Sequence, residues 1–235
     1  MTAPKGVPAL RRAVEKARLP GTPRAVTERA RRILLASLDA LAAAPAARVA
    51  DDMASGAAAT RIGEADMARA APPPDTDCRA GCAFCCILAG DDGGTVTAHE
   101  ARRLHAALAP VAGRPDGRAW HPMACPALDP ETRTCRAYDA RPMICRAYLS
   151  TDVAACEAIA QGTPAPGPVT LAGYGIALAA HGLARAALKG TRAAPTHALR
   201  MVAAAAVEGR DVETALTESR HAPRMLDAER RRLAG

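Results

Sequence analysis

Cys78-Arg79-Ala80-Gly81-Cys82-Ala83-Phe84-Cys85-Cys86 places four thiols within nine residues. The x3 and x2 spacings let a folded-back loop aim several of them at one point. Thiolates are soft donors that suit zinc in a closed four-ligand site, or an iron–sulfur cluster held by four cysteines. The stretch from Cys78 to Gly94 is rich in cysteine and glycine and ends in Asp91-Asp92-Gly93-Gly94, a composition of turns and not of helix or strand. It is read as an irregular loop wrapped on a ligand, so the hydrophobic core has to come from its flanks.

Those flanks read as helical. Thr22-Pro23 opens an amphipathic helix from Arg24 to Ala44, with Ile33, Leu34, Leu38 and Leu41 at helical spacing and Pro45 as its stop. A second, alanine-rich helix with Met53, Ile62 and Met67 is expected to run to about Arg69, and Pro72-Pro73-Pro74 forms a stiff lead-in to the cysteines. After the loop, Thr97-Ala98-His99-Glu100 is a capping box that starts a helix closed by Pro110. Residues 111–150 are punctuated by proline and read as irregular. Gln161 to Pro168 reads as a linker, followed by helices over 171–188, 196–208, 211–219 and 222–233. The expected organisation is a basic helical extension (1–74), a cysteine-cluster domain (75–160) and a C-terminal helical region (161–235). The fold class is mainly α, an irregular Cys-rich loop module enclosed by helices, with few or no strands.

Composition supports this and narrows the function. Alanine is abundant while β-branched and aromatic residues are sparse, which favours helix. One Trp, three Tyr and one Phe provide almost no stacking platform for single-stranded nucleic acid, and the recognition helix of a finger-type frame is missing. Nucleic acid is therefore not an expected partner. The net charge of +7 resides wholly in residues 1–32, where nine Lys or Arg face Glu15 and Glu28. This run is read as a solvated helix face or a frayed arm that offers a surface to an acidic protein partner. No apolar run follows the basic start and none reaches the ~18 residues of a membrane span, so no membrane association is expected and the expected compartment is the cytoplasm. Eight cysteines in that compartment point to metal or redox chemistry in place of a disulfide framework.

The second thiol group lies in Cys125-Pro-Ala-Leu, Cys135-Arg-Ala-Tyr138 and Arg141-Pro142-Met-Ile-Cys145-Arg146. Together with the C-x-x-x-C-x-x-C-C core and the T-x-x-E helix start, this order resembles the YkgJ-type cysteine-cluster family, described as zinc- or iron-chelating. The resemblance covers roughly residues 78–150 and implies metal chelation without a defined reaction. Its implied ligands come from Cys78, Cys82, Cys85, Cys86, Cys125, Cys135 and Cys145. Seven thiols exceed one four-ligand site: either one polynuclear cluster uses four of them, or two metal positions share the loop. Cys156 lies past these motifs and is read as a buried or free thiol. Arg141 and Arg146 would offset thiolate charge, Pro142 would fix the turn before Cys145, and Tyr138 would pack over the site. His99, His105 and His121 are not needed as ligands.

The reading is a metal-binding protein holding a 4Fe-4S cluster or Zn, in a structural or electron-transfer role. The alternatives are an enzyme using the cluster or a zinc-stabilised interaction module. Cys78-x3-Cys82-x2-Cys85 resembles the motif of radical S-adenosylmethionine enzymes, but the strands of their barrel are not found in the sequence. Flagellin lysine methylases contain a similar cysteine cluster, yet no Gly-rich cofactor loop supports methyl transfer. A switchable Cys85–Cys86 disulfide lacks the strand–helix setting of thioredoxin motifs.

Overall fold

The structure, a computed structural model, describes residues 6–87, 92–165 and 171–234; Asp91 and residues 166–168 of the expected linker lie outside the described residues. Before the cysteines run α1 (Val7–Lys16), α2 (Arg24–Ala40), α3 (Ala46–Ser55) and α4 (Ala57–Met67). The middle holds β1 (Thr95–Thr97), α5 (Ala98–Leu108), α6 (Met143–Arg146) and α7 (Val153–Ala160). The remainder is α8 (Ala172–Ala187), β2 (Thr196–Ala198), α9 (Leu199–Val207), α10 (Val212–Glu218) and α11 (Arg224–Arg232). The molecule is mainly α, as expected, and no helix among the described residues is long and apolar enough to cross a membrane.

From Val7 the basic arm is helical. Val7, Leu10 and Val14 form a buried stripe along α1, while its charged residues face outward. Arg31 of α2 donates to the carbonyls of Val14, Glu15 and Ala17, satisfying groups that the end of α1 leaves open. Several arm cations are thus engaged within the molecule: Arg11 pairs with Glu15 and Asp39, and Arg29 with Asp66.

The expected single helix after Pro45 is two helices, broken at Gly56. This residue is left-handed, with φ of 90°, and a Cβ there would lie 2.3 Å from the Cβ of Thr97. The break therefore sits where the helix pair meets the start of α5. Helix α4 lies along α8, and the two approach closely at Gly63, where an added Cβ would fall 2.9 Å from that of Ala177 and 3.0 Å from the Gly173 carbonyl. Leu10, Leu34, Leu38 and Met53 share one core with Ile176, Leu183 and Leu188, so helices from both flanks are packed together.

A second core joins Val96, Leu104 and Leu108 to Leu199, Val202, Val207 and the buried Cys125. It is stitched by β1 and β2, antiparallel with Val96 opposite His197. The helix expected over 196–208 accordingly begins only at Leu199. Residues 196–198 follow Pro195 and make ladder hydrogen bonds to a distant segment, which outweighs their local preference. Met143, Tyr174, Leu178 and Leu226 form a third cluster, which joins α6 to α8 and α11.

Candidate metal centre

The first cysteine segment is pinned at its entrance. The Asp77 amide donates to the Ser150 carbonyl (2.9 Å), and the Ser150 amide points at Cys78 Sγ (3.4 Å). The chain then turns through Gly81 and Ala83, both with positive φ, into a single 3-10 turn over Phe84–Cys86. Ala83 is buried, and the left-handed conformation costs a residue with a Cβ about 1 kcal/mol or more. Ala83 and Arg133 are the only non-glycine residues among those described with positive φ, and they sit one in each thiol-bearing stretch.

The Cys86 carbonyl accepts the Cys125 amide at 2.8 Å, joining the two stretches. From Cys125 the chain folds back on itself, so that Leu128 bridges Cys135. Asp129 organises the bend: Oδ1 accepts the amides of Thr132 (3.0 Å) and Glu131 (3.1 Å), and Oδ2 takes the Arg136 guanidinium at 2.9 Å. The Thr132 amide and Arg136 hold its carboxyl down to about 2.

Cys145 arrives on α6, whose start is fixed by Pro142 and by Glu100. The Glu100 carboxylate closes the predicted capping box with Thr97, then reaches across to accept the Met143 amide at 2.8 Å. Glu100 is buried, and burial raises its pKa despite those amides. The residue signalled by the capping pattern thus also positions a thiol-bearing turn, a second role with no local signature.

Around this framework the thiols differ in setting. Cys78 and Cys85 reach the surface, Cys82, Cys86, Cys135, Cys145 and Cys156 are half-buried, and Cys125 is buried. Sγ of Cys85 and Cys86 lie 4.0 Å apart. The Cys86 thiol and then the Arg141 charge favour a thiolate at Cys85, while the same contact and burial push Cys86 up. Burial pushes Cys125 up to about 12 and raises Cys78, Cys135 and Cys145. In the absence of a cation, buried thiols stay protonated; a bound metal reverses this by stabilising their thiolates.

Arg141 lies near Cys85, Cys135 and Cys145 and favours their thiolates. Arg146 does something else: its guanidinium donates to the carbonyls of Arg141 and Asp139, bracing the turn that carries them. Tyr138 does not pack over the thiols. Its side chain is exposed and stacks under Arg141, whose guanidinium carbon is 3.7 Å from the ring centroid. His105 bonds the Arg210 carbonyl (2.8 Å) and His121 accepts the Met123 amide (3.1 Å), so these imidazoles are occupied elsewhere.

Among the described residues no group of three or more His, Cys, Asp or Glu side chains is drawn together tightly enough to hold an ion as it stands. The donor set nonetheless fits a thiophilic metal: soft thiols from three chain segments, an adjacent guanidinium, and an apolar floor of Ala83, Ala124 and Leu128.

Residues 77–162, just over a third of the chain, match the family model CxxCxxCC, described as "Putative zinc- or iron-chelating domain". This segment is thus similar to a cysteine-rich domain described as chelating zinc or iron. The match continues through Cys156, which the sequence motifs had set apart. No curated protein and no solved structure gave a match to the chain.

Proposed function

We propose that the CxxCxxCC domain holds a 4Fe-4S cluster through its cysteines, in electron-transfer or structural service. The observation that carries this is that Cys125, Cys135 and Cys145 neighbour the Cys85–Cys86 pair, with a cation, Arg141, beside the surface-reaching thiol of Cys85. A bulky anionic cluster uses more thiol-lined space than one ion needs, and surface access suits electron exchange. When bound, the cluster supplies one-electron chemistry. The chain's residues hold it, offset its charge through Arg141 and shield it with the apolar floor.

A structural zinc site is the second reading, favoured by the enclosure of Cys86, Cys125, Cys135 and Cys145 among apolar side chains. The radical reading gains no support, because the two-stranded sheet is the only sheet among the described residues and supplies no strand–helix barrel. Anaerobically purified protein treated with dithionite tests the choice. Loss of a visible charge-transfer band with appearance of a paramagnetic signal establishes the cluster. A colourless, diamagnetic protein carrying zinc replaces it with the structural site.

A further inference from the structure

Helix α2 carries Arg24, Glu28 and Arg32 at i, i+4 and i+8, so the three follow one another along one face. Two open hollows lie between this face, α1 and the segment after α1. The first, about 390 Å³, has Arg11, Arg32 and Leu35 in its lining, and the second, about 350 Å³, has Arg18, Leu19 and Arg24. Glu28 and Arg31 line both, so the hollows run together as one trough. Arg11 is taken up by Glu15 and Asp39, and Arg31 by carbonyls at the end of α1. Glu28 turns to Arg31, 3.6 Å away, and not to Arg24 or Arg32. The exposed guanidinium groups of Arg18, Arg24 and Arg32 therefore have no carboxylate within ion-pair distance among the described residues. The trough presents cation, anion and cation along ~12 Å, the rise of eight helical residues.

We propose that this trough docks an acidic peptide segment of a partner protein, laid extended, with carboxylates four residues apart and a cation midway between them. Four residues of extended chain cover ~13 Å and bring the side chain back to the same face, which matches the span from Arg24 to Arg32. The midway cation meets Glu28, and Arg18 reinforces the Arg24 end. The charge pattern selects this class of ligand. A phosphodiester backbone carries unbroken negative charge and would be opposed by Glu28 and Asp39, which both line the trough. A lipid surface needs an apolar face to insert, yet the stripe of α1 is buried in the first core. The large apolar side chains exposed among the described residues, Met123, Tyr138, Ile159 and Met201, all lie outside α1 and α2.

The test is fluorescence anisotropy of the full chain with labelled peptides in which two glutamates stand at varied separations, with lysine, alanine or glutamate midway. Saturable binding is expected, tightest for glutamates four residues apart with lysine midway, and weakened by added salt. The double variant Arg24→Ala, Arg32→Ala is expected to bind about tenfold more weakly. Arg114→Ala, an exposed arginine outside the trough, is expected to bind as wild type does. Glu28→Lys is expected to exchange the preference for lysine midway for one for glutamate. Circular dichroism establishes that each variant is folded. Affinity that ignores the spacing of the glutamates, or falls equally in Arg114→Ala, reduces the effect to general charge attraction and overturns the docking site. Displacement of the peptide by a single-stranded oligonucleotide or by phosphatidylserine vesicles at lower concentration than by unlabelled peptide assigns the trough to that ligand instead. No saturable binding by any of the peptides overturns the proposal outright.

Discussion

Glu100 Oε1 accepts the backbone amide of Met143 at 2.8 Å, while Oε2 accepts the amide of Thr97 at 2.8 Å. One buried carboxylate therefore starts α5 and holds the turn that presents Cys145. Replacing Glu100 with Ala leaves both amides without partners in a region closed to water, at a cost of about 2–3 kcal/mol. Glu100→Gln keeps one acceptor and is expected to cost less. Urea unfolding measures both, and metal retention in Glu100→Ala is expected to fall with the loosening of α6.

Gly63 is a second point where the frame bears on the site. An added Cβ would lie 2.8 Å from Met143 Cε as well as against Ala177 and the Gly173 carbonyl. Gly63→Ala is expected to push α4 off α8 and disturb the residue next to Pro142, at about 1–3 kcal/mol. Thermal unfolding checks the size, and an unchanged melting temperature would contradict the close helix approach.

The Cys125–Cys135 bend depends on Asp129. Its depressed carboxyl contributes to stability above the unfolded pKa of 3.8, and that contribution is lost as pH falls through about 2. Asp129→Ala is expected to speed amide exchange over residues 129–136 and to hasten metal loss to a chelator at neutral pH. Exchange rates equal to wild type would show that the bend stands without it.

Acid sensitivity should have a separate source in α8. His181 is wholly buried, and its ring nitrogens face Ala194 and Pro195 without a well-formed hydrogen bond. Burial pushes its pKa from 6.5 down to about 4, and His197 is shifted the same way. An imidazole with a depressed folded pKa gives full stability above 6.5, lost as pH falls toward 4, because the unfolded chain binds the proton more readily. His181 is expected to account for roughly 2 kcal/mol of the loss between pH 7 and pH 5. His181→Leu should flatten the stability profile over that window, and an unchanged slope would contradict a buried neutral imidazole.

What the sequence made legible was chemistry with short-range spacing. The capping box at Thr97 and the helices opened by Pro23 and Asp211 are written within a few turns of chain, and the structure has them in place. The misreadings arise where distant segments decide. The pairing of Thr95–Thr97 with Thr196–Ala198 has no signal in either stretch alone. The stripe of Val7, Leu10 and Val14 is short and embedded in cations, so its burial becomes visible only when α2 and α8 supply the other wall.

The central claim is that this chain holds metal through its clustered cysteines. It is tested most directly by the metal and acid-labile sulfide content of the full chain, purified without oxygen and without added metal, beside Cys82→Ser and Cys145→Ser. The account predicts iron with sulfide in wild type and a clear loss of metal in both variants, with helicity largely retained. Metal at wild-type levels in both variants, or a folded wild type with neither iron nor zinc, would contradict it.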